Sequence, residues 1–171
     1  TTDGFSVQQK TGSSDVTLTG YTGSETTLNL PASIEHDSQT YTVTAIDGDA
    51  FKNFKNTNII KSVNIPEGYQ SIGLSTFEGF TGLTSVTIPG SLQTLSSYAF
   101  EGCTALETVN FADDTASSLT LNLKSFKDCS SLQQITLPKR LSSMNAGVFI
   151  GCTSLQKITV ADGCADFVSD G

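Results

Sequence analysis

The stretch Ser91-Leu92-Gln93-Thr94-Leu95-Ser96-Ser97-Tyr98-Ala99-Phe100-Glu101-Gly102-Cys103-Thr104-Ala105-Leu106-Glu107-Thr108-Val109 decides the fold. Phe100 follows a small residue, precedes a cysteine by three positions, and has Leu95 and Leu92 five and eight positions upstream. That spacing recurs along the chain. Phe51, Phe77, Phe100, Phe126 and Phe149 stand 26, 23, 26 and 23 residues apart. A period in the twenties with one strand signature per copy belongs to a stack of coils, not to a pocket-bearing globule.

Aligning the copies on phenylalanine brings a second series into register: Lys61-Ser62-Val63-Asn64-Ile65-Pro66, Thr84-Ser85-Val86-Thr87-Ile88-Pro89, Glu107-Thr108-Val109-Asn110-Phe111-Ala112, Gln133-Gln134-Ile135-Thr136-Leu137-Pro138 and Gln156-Lys157-Ile158-Thr159-Val160-Ala161. Each is a short period-2 run, closed in most copies by a proline that breaks the strand. The inward residues are Val63/Ile65, Val86/Ile88, Val109/Phe111, Ile135/Leu137 and Ile158/Val160. A further apolar series, Ile46, Ile72, Leu95, Leu121 and Met144, precedes each phenylalanine by five positions. Val43, Tyr69, Leu92 and Leu141 lie three positions before that, and the copy carrying Phe126 slips there, with Ser118 beside Leu119. Two polar insertions, Asn56-Thr57-Asn58 and one beside Asp113-Asp114-Thr115-Ala116-Ser117, account for the longer repeats and are expected to bulge outward. The small residue, phenylalanine and Phe54, Phe80, Cys103, Cys129 or Cys152 stand at offsets suited to one helical turn or a tight bend. Each phenylalanine would stack on the next, and removing one should cost about 3–5 kcal/mol.

Upstream, Thr27-Leu28-Asn29-Leu30-Pro31 matches the strand series. His36-Asp37-Ser38-Gln39 reads as a hairpin turn between Ser33-Ile34-Glu35 and Thr40-Tyr41-Thr42-Val43, and Phe5-Ser6-Val7-Gln8 would pair with Asp15-Val16-Thr17-Leu18-Thr19. Terminal repeats need caps, so the chain is expected to be one domain: residues 1–45 as an N-terminal capping region with the first strand, 46–161 as repeats, and 162–171 as a tail, either a minimal cap or the cut end of something longer.

The formal charge is −8, with 17 acidic and 9 basic residues and no basic cluster to follow a phosphate backbone, which argues against a nucleic-acid partner. No apolar run is long enough to cross a bilayer, so membrane insertion is not expected. The first residue is Thr1, equally compatible with a removed leader and a trimmed chain. Cys103, Cys129 and Cys152 share a slot with Phe54 and Phe80, so they read as packed free thiols. His36 stands alone, and no nucleophile can be paired with it. Glu67, Asp113, Asp114 and Asp162 follow strands along one edge but lack the oxygen-rich spacing of a calcium loop. No enzyme activity, metal or cofactor is expected.

The stretch from Ser91 to Val109, together with Ser85-Val86-Thr87-Ile88-Pro89 and Ala146-Gly147-Val148-Phe149-Ile150-Gly151-Cys152-Thr153-Ser154-Leu155, resembles the BspA-type leucine-rich repeat. The resemblance covers about residues 41–161, and it departs from the family pattern at Ala112 and Ala161, where the family has proline. It implies a secreted or cell-surface bacterial protein, in several family members an adhesin for host matrix proteins or other bacteria, and it carries over no catalytic residue. The fold expected is an α/β solenoid dominated by β structure, a right-handed leucine-rich repeat stack with one short parallel strand per 23 to 26 residue repeat and an N-terminal β-hairpin cap.

Strand residues that alternate with the core would form the concave face: Thr27, Asn29, Ser62, Asn64, Ser85, Thr87, Thr108, Asn110, Gln134, Thr136, Lys157 and Thr159. One reading is a ladder that only satisfies strand propensity and solvent. The other is a flat polar face that docks a protein, from host matrix or another bacterial surface, weakly or through avidity. Tyr98 takes a slot otherwise held by Asp49, Ser75, Lys124 and Gly147 and is expected to be an exposed contact. A protein-binding, adhesin-like domain is the first expectation; a structural spacer and a glycan-binding module are the alternatives.

Overall fold

The computed structural model describes residues 4–112 and 117–164. The strands in chain order are β1 (Phe5–Gln9), β2 (Asp15–Tyr21), β3 (Thr27–Asn29), β4 (Ser33–His36), β5 (Gln39–Ile46), β6 (Ser62–Asn64), β7 (Ser71–Ile72), β8 (Ser85–Ile88), β9 (Thr94–Leu95), β10 (Thr108–Phe111), β11 (Leu119–Leu121), β12 (Gln134–Leu137), β13 (Leu141–Met144) and β14 (Lys157–Val160). The six alternating runs become β3, β6, β8, β10, β12 and β14. Their register is that of the sequence alignment: Thr27, Ser62, Ser85 and Thr108 are successive partners, as are Leu28, Val63, Val86 and Val109.

The expected α/β character is wrong. No helix occurs among the described residues, and each coil contributes a second strand. β7, β9, β11 and β13 continue a sheet in the order β1-β2-β5-β7-β9-β11-β13, with β4 paired to β5. The corner at each phenylalanine cannot wind into a helix because its amides point to the next coil. Phe77 N–H donates to Ala99 O at 2.8 Å, Phe100 N–H to Ser125 O at 2.8 Å and Phe126 N–H to Val148 O at 3.0 Å. Left-handed residues on both sides of the phenylalanine also rule out a right-handed helical turn. Ser75, Tyr98 and Lys124 have φ of 54°, 61° and 55°, and Gly79, Gly102 and Asp128 have 70°, 69° and 59°.

The phenylalanines stack as a column. Ring centroids are 5.3 Å apart for Phe51 and Phe77, 5.1 Å for Phe77 and Phe100, 5.3 Å for Phe100 and Phe126, and 5.9 Å for Phe126 and Phe149. Tyr21 and Phe5 carry the column into the N-terminal hairpin, with centroids 4.7 Å apart. One core cluster takes side chains from all three sheets, the β12–β14 pair included. Each thiol donates to the carbonyl of the phenylalanine one coil earlier: Cys103 to Phe77 O at 3.2 Å, Cys129 to Phe100 O at 3.3 Å and Cys152 to Phe126 O at 3.1 Å. The slot therefore suits a small apolar group that is also a weak donor. Tyr69 is fully buried, and its hydroxyl donates to Pro31 O at 2.8 Å.

The hairpin of β4 and β5 turns through Asp37 and Ser38, at φ 50° and 60°. The β1–β2 hairpin forms as expected. Asn56 and Asn58 are exposed, in keeping with an outward bulge. The bulge leans on the next coil, where a Cβ at Gly82 would sit 2.0 Å from the Asn58 carbonyl oxygen. The insertion at 113–116 lies outside the described residues. A second correction concerns the last coil. Ile158, read as inward, is 45% exposed, and Met144 is 37% exposed, because no described coil lies beyond them.

Candidate functional site

The outward positions of the strand series form one continuous row per coil. Thr27, Asn29, Ser62, Asn64, Ser85, Thr87, Thr108 and Asn110 share the sheet ordered β10-β8-β6-β3, while Gln134, Thr136, Lys157 and Thr159 lie on the β12–β14 pair. Neighbouring rows tie to one another. Asn64 Nδ2 donates to Asn29 Oδ1 at 2.5 Å, Ser62 Oγ to Thr27 Oγ1 at 3.3 Å, and the Thr136 and Thr159 hydroxyls are 2.9 Å apart. Such side-chain ladders add stability to strand pairs.

The face is interrupted once. β10 and β12 are adjacent, yet no ladder joins them. Parallel strands that fail to pair leave backbone N–H and C=O groups along both facing edges without ladder partners. A half-open groove of about 400 Å³ lies there. Its polar lining is Thr108, Asn110, Gln134, Thr136, Lys157 and Thr159, six of the twelve face residues, and its apolar lining is Val109, Phe111, Ile135, Pro138 and Ala161. Lys157 is the one ionisable side chain in that lining. Phe111, read as inward from its strand position, is half-buried and lines the groove. Two substitutions in the repeat mark this place in the sequence: an aromatic where other copies carry Ile65, Ile88 or Leu137, and Ala112 in place of proline.

Tyr98 is not brought to this face. It sits at the Phe100 corner, half-buried, with the Lys124 ammonium 5.8 Å from its ring centroid. Lys127, at the Phe126 corner of the next coil, pairs with Glu101 and lies 3.0 Å from Asp128. The hydrogen bond to Glu101, followed by that to Asp128, raises its pKa above the usual lysine range.

Sequence reading missed Arg140, the single arginine of the chain. Its buried guanidinium reaches back two coils, Nη1 donating to Leu92 O at 2.5 Å and Nη2 to Pro89 O at 2.8 Å. The turn after β8 is thus held from both sides, because the Glu67 carboxylate accepts Gly90 N–H at 2.8 Å and Ser91 N–H at 2.9 Å from the preceding coil. Glu67 therefore acts as a backbone cap, not as one of a row of cation ligands. A lone arginine after Pro138, at a position held by Gly68, Ser91 and Ser118 in other copies, was the available signal.

His36 lies in the exposed hairpin, 3.5 Å from Asp37. The four cysteines are free, and three of them are buried. Burial pushes the Cys103 thiol up to about 12, and contact with Cys152, then burial, raises that of Cys129. Protonated buried thiols are poor nucleophiles. Among the described residues no group of three or more His, Cys, Asp or Glu side chains could hold a metal ion, and no helix is long and apolar enough to cross a membrane.

Residues 44–170 match the BspA type leucine-rich repeat region in six copies. The chain belongs to the BspA-type leucine-rich repeat family. Solved structures show the same fold. A leucine-rich cell surface protein of Faecalibacterium prausnitzii is 26% identical with TM-score 0.76, over 95% of this chain and 42% of its own. A leucine-rich repeat protein of Bacteroides ovatus is 20% identical with TM-score 0.75, over 98% and 45%. The leucine-rich repeat protein of T. pallidum is 20% identical with TM-score 0.78, over 98% and 79%. This BspA-type chain thus spans less than half the length of the first two. A comparison with curated protein sequences finds no match. In this BspA-type stack the repeat pattern is explained by packing: phenylalanine for the column, cysteine for the carbonyl beneath it, and alternating apolar residues for the sheet.

Proposed function

We propose that this chain is a non-enzymatic binding domain of a secreted or surface-attached bacterial protein, and that it contacts a protein partner through the strand face from Thr27 to Thr159. The groove between β10 and β12 carries this reading. It interrupts the row of outward polar side chains, and six of them line it together with Val109, Phe111, Ile135, Pro138 and Ala161. At about 400 Å³ it falls within the range of small-ligand pockets and is large enough to take side chains of a docked segment. The similarity to a protein described as a leucine-rich cell surface protein supports the location. With little aromatic surface and one cation, contact by this face alone is weak, and surface display multiplies it through avidity.

One observation favours a spacer that binds nothing: Asn29, Asn64, Thr136 and Thr159 already satisfy one another. A glycan site has only Phe111 as a stacking surface in the groove and ranks third. Binding of the domain to immobilised host matrix proteins, glycans and bacterial surface extracts separates the three. Saturable binding to a protein that Lys157→Glu and Thr87→Arg both weaken supports the proposal. Retention of nothing above background supports the spacer, and retention of glycans alone supports the third reading.

A further inference from the structure

We propose that the first corner of the coil stack carries a binding site for a neutral, hydroxyl-rich ring, a hexose unit of a glycan. The site is a half-open cavity of about 350 Å³ between the Phe51 and Phe77 corners. It shares no residue with the strand face and does not depend on the protein contact proposed there. Its origin is a break in the backbone ladder that joins the later corners. Ser75, Phe77 and Gly79 N–H donate to Ser97, Ala99 and Glu101 O, and the Phe100 and Phe126 corners repeat the pattern. The equivalent amides of Asp49, Phe51 and Asn53 reach none of the carbonyls of Leu74, Thr76 and Glu78. The cause is local. Each later corner has two left-handed residues, Ser75 and Gly79, Tyr98 and Gly102, Lys124 and Asp128, Gly147 and Gly151, whereas Asp49 and Asn53 are not left-handed. The amides of the first corner therefore bond only within it: Ala50 N–H to Asp47 O at 3.1 Å, Lys52 N–H to Asp49 O at 3.1 Å and Phe54 N–H to Phe51 O at 2.9 Å.

The gap is bounded at both ends. The coils touch at Gly48 and Gly73, where an added Cβ would lie 2.4 Å from Leu74 O and 2.5 Å from Gly48 N respectively. They rejoin where Gly82 N–H donates to Thr57 O at 3.4 Å. Between these points three aromatic residues line the cavity. Phe51 and Phe80 are buried, while Phe54, stacked on Phe80 at 6.2 Å, is half-buried, so its ring is the aromatic surface a ligand reaches. Phe54 and Phe80 stand in the slot that Cys103, Cys129 and Cys152 fill in later coils. The exposed side chains of Asp49, Lys52 and Glu78 also line the cavity, with Lys52 3.3 Å from Asp49. This lining selects its ligand. An anion meets two carboxylates against one ammonium. A wholly apolar ligand would cover backbone groups of Phe51, Thr76 and Glu78 that lack coil-to-coil partners, and leave them unpaired. A hexose offers Phe54 an apolar ring face and the polar groups hydroxyls that both donate and accept, the mixture that small-ligand sites use.

Amide chemical shifts of the isotope-labelled 171-residue chain, titrated with D-glucose, D-galactose, D-mannose and N-acetyl-D-glucosamine into the tens of millimolar, test this. A half-open cavity and so small a ligand give a millimolar Kd. The expected result is saturable shifts at Phe51, Asn53 and Thr76 with at least one of the four sugars. Phe54→Leu keeps the slot filled and removes the ring, and Glu78→Ala changes an exposed side chain; each should weaken binding at least tenfold. Phe111→Ala, in the groove between β10 and β12, should leave it unchanged, which keeps failure here distinct from failure of the strand-face reading. Circular dichroism of each variant checks that the strands are intact, and Glu78→Ala alone suffices if Phe54→Leu misfolds. Absence of saturable shifts with all four sugars, shifts that Phe111→Ala abolishes, or a response to tetramethylammonium and not to the sugars would overturn the proposal.

Discussion

Arg140→Ala is expected to be among the most destabilising changes to a charged residue in this chain. The substitution removes two charge-assisted donors from carbonyls that the fold buries, those of Pro89 and Leu92, at 2.8 and 2.5 Å. A hydrogen bond involving a charged group contributes about 1.5–3 kcal/mol, and a buried acceptor left without a partner costs about 1–3 kcal/mol. The Pro89 carbonyl keeps the Leu92 N–H at 3.2 Å, so the Leu92 carbonyl is the one that loses its donor, and together these place the loss at roughly 3–5 kcal/mol. With a urea slope of about 2 kcal/mol/M the unfolding midpoint would fall by about 2 M. Arg140→Lys retains the charge but cannot span both carbonyls with a planar fork, so about half the loss should remain. Lys139→Ala, at the exposed neighbouring position, should stay within about 0.5 kcal/mol of wild type. Urea unfolding followed by circular dichroism measures all three. If Arg140→Ala unfolds within 1 kcal/mol of wild type, the turn after β8 does not depend on this clamp and the reasoning fails.

Phe100→Ala should cost about 3–5 kcal/mol, while Phe149→Ala, at the half-covered end of the same column, should cost about half as much; urea midpoints compare them. Stability should also fall in alkali. Cys103 has a folded pKa near 12 against 9.0 for a free thiol, so its contribution is whole below pH 9 and declines by about 1.4 kcal/mol per pH unit between about 9 and 12. Burial shifts Tyr69 in the same direction, so Cys103→Ala should flatten part of the alkaline decline seen in thermal melts and not abolish it. Gly82→Ala should destabilise the coil carrying the Asn56-Thr57-Asn58 bulge, because its Cβ would collide with the Asn58 carbonyl, and a lowered melting temperature would show it.

The features legible in the sequence were those with a strong period. Val63, Val86, Val109 and Ile135 announce their strands because polar residues alternate with them, and the phenylalanines announce their column because five copies share one offset. The second sheet was harder to see. β7 and β9 are two residues long with one buried side chain each, which is too short to show an alternation. The corner was misjudged because small-Phe-x-x-Cys spacing fits a helical turn as well as a bend. The glycines at 79, 102 and 151, two residues after the phenylalanine, held the answer, since their φ of 70°, 69° and 77° excludes a right-handed helix there. The outward side of the strand series was readable from alternation alone. The break between β10 and β12 was not, because it depends on how two coils settle against each other; Phe111 and Ala112 mark its place in the repeat but do not by themselves say that a ladder fails there.

Amide hydrogen exchange of the free domain tests that break most directly. β8 is paired on both sides and β12 on one. The expected result is that the amides of β12 that face β10 exchange at least a hundredfold faster than the corresponding amides of β8, with the β14-facing amides of β12 remaining protected. Uniform protection across β8, β10 and β12 would mean an uninterrupted ladder, leaving no groove for a partner to enter.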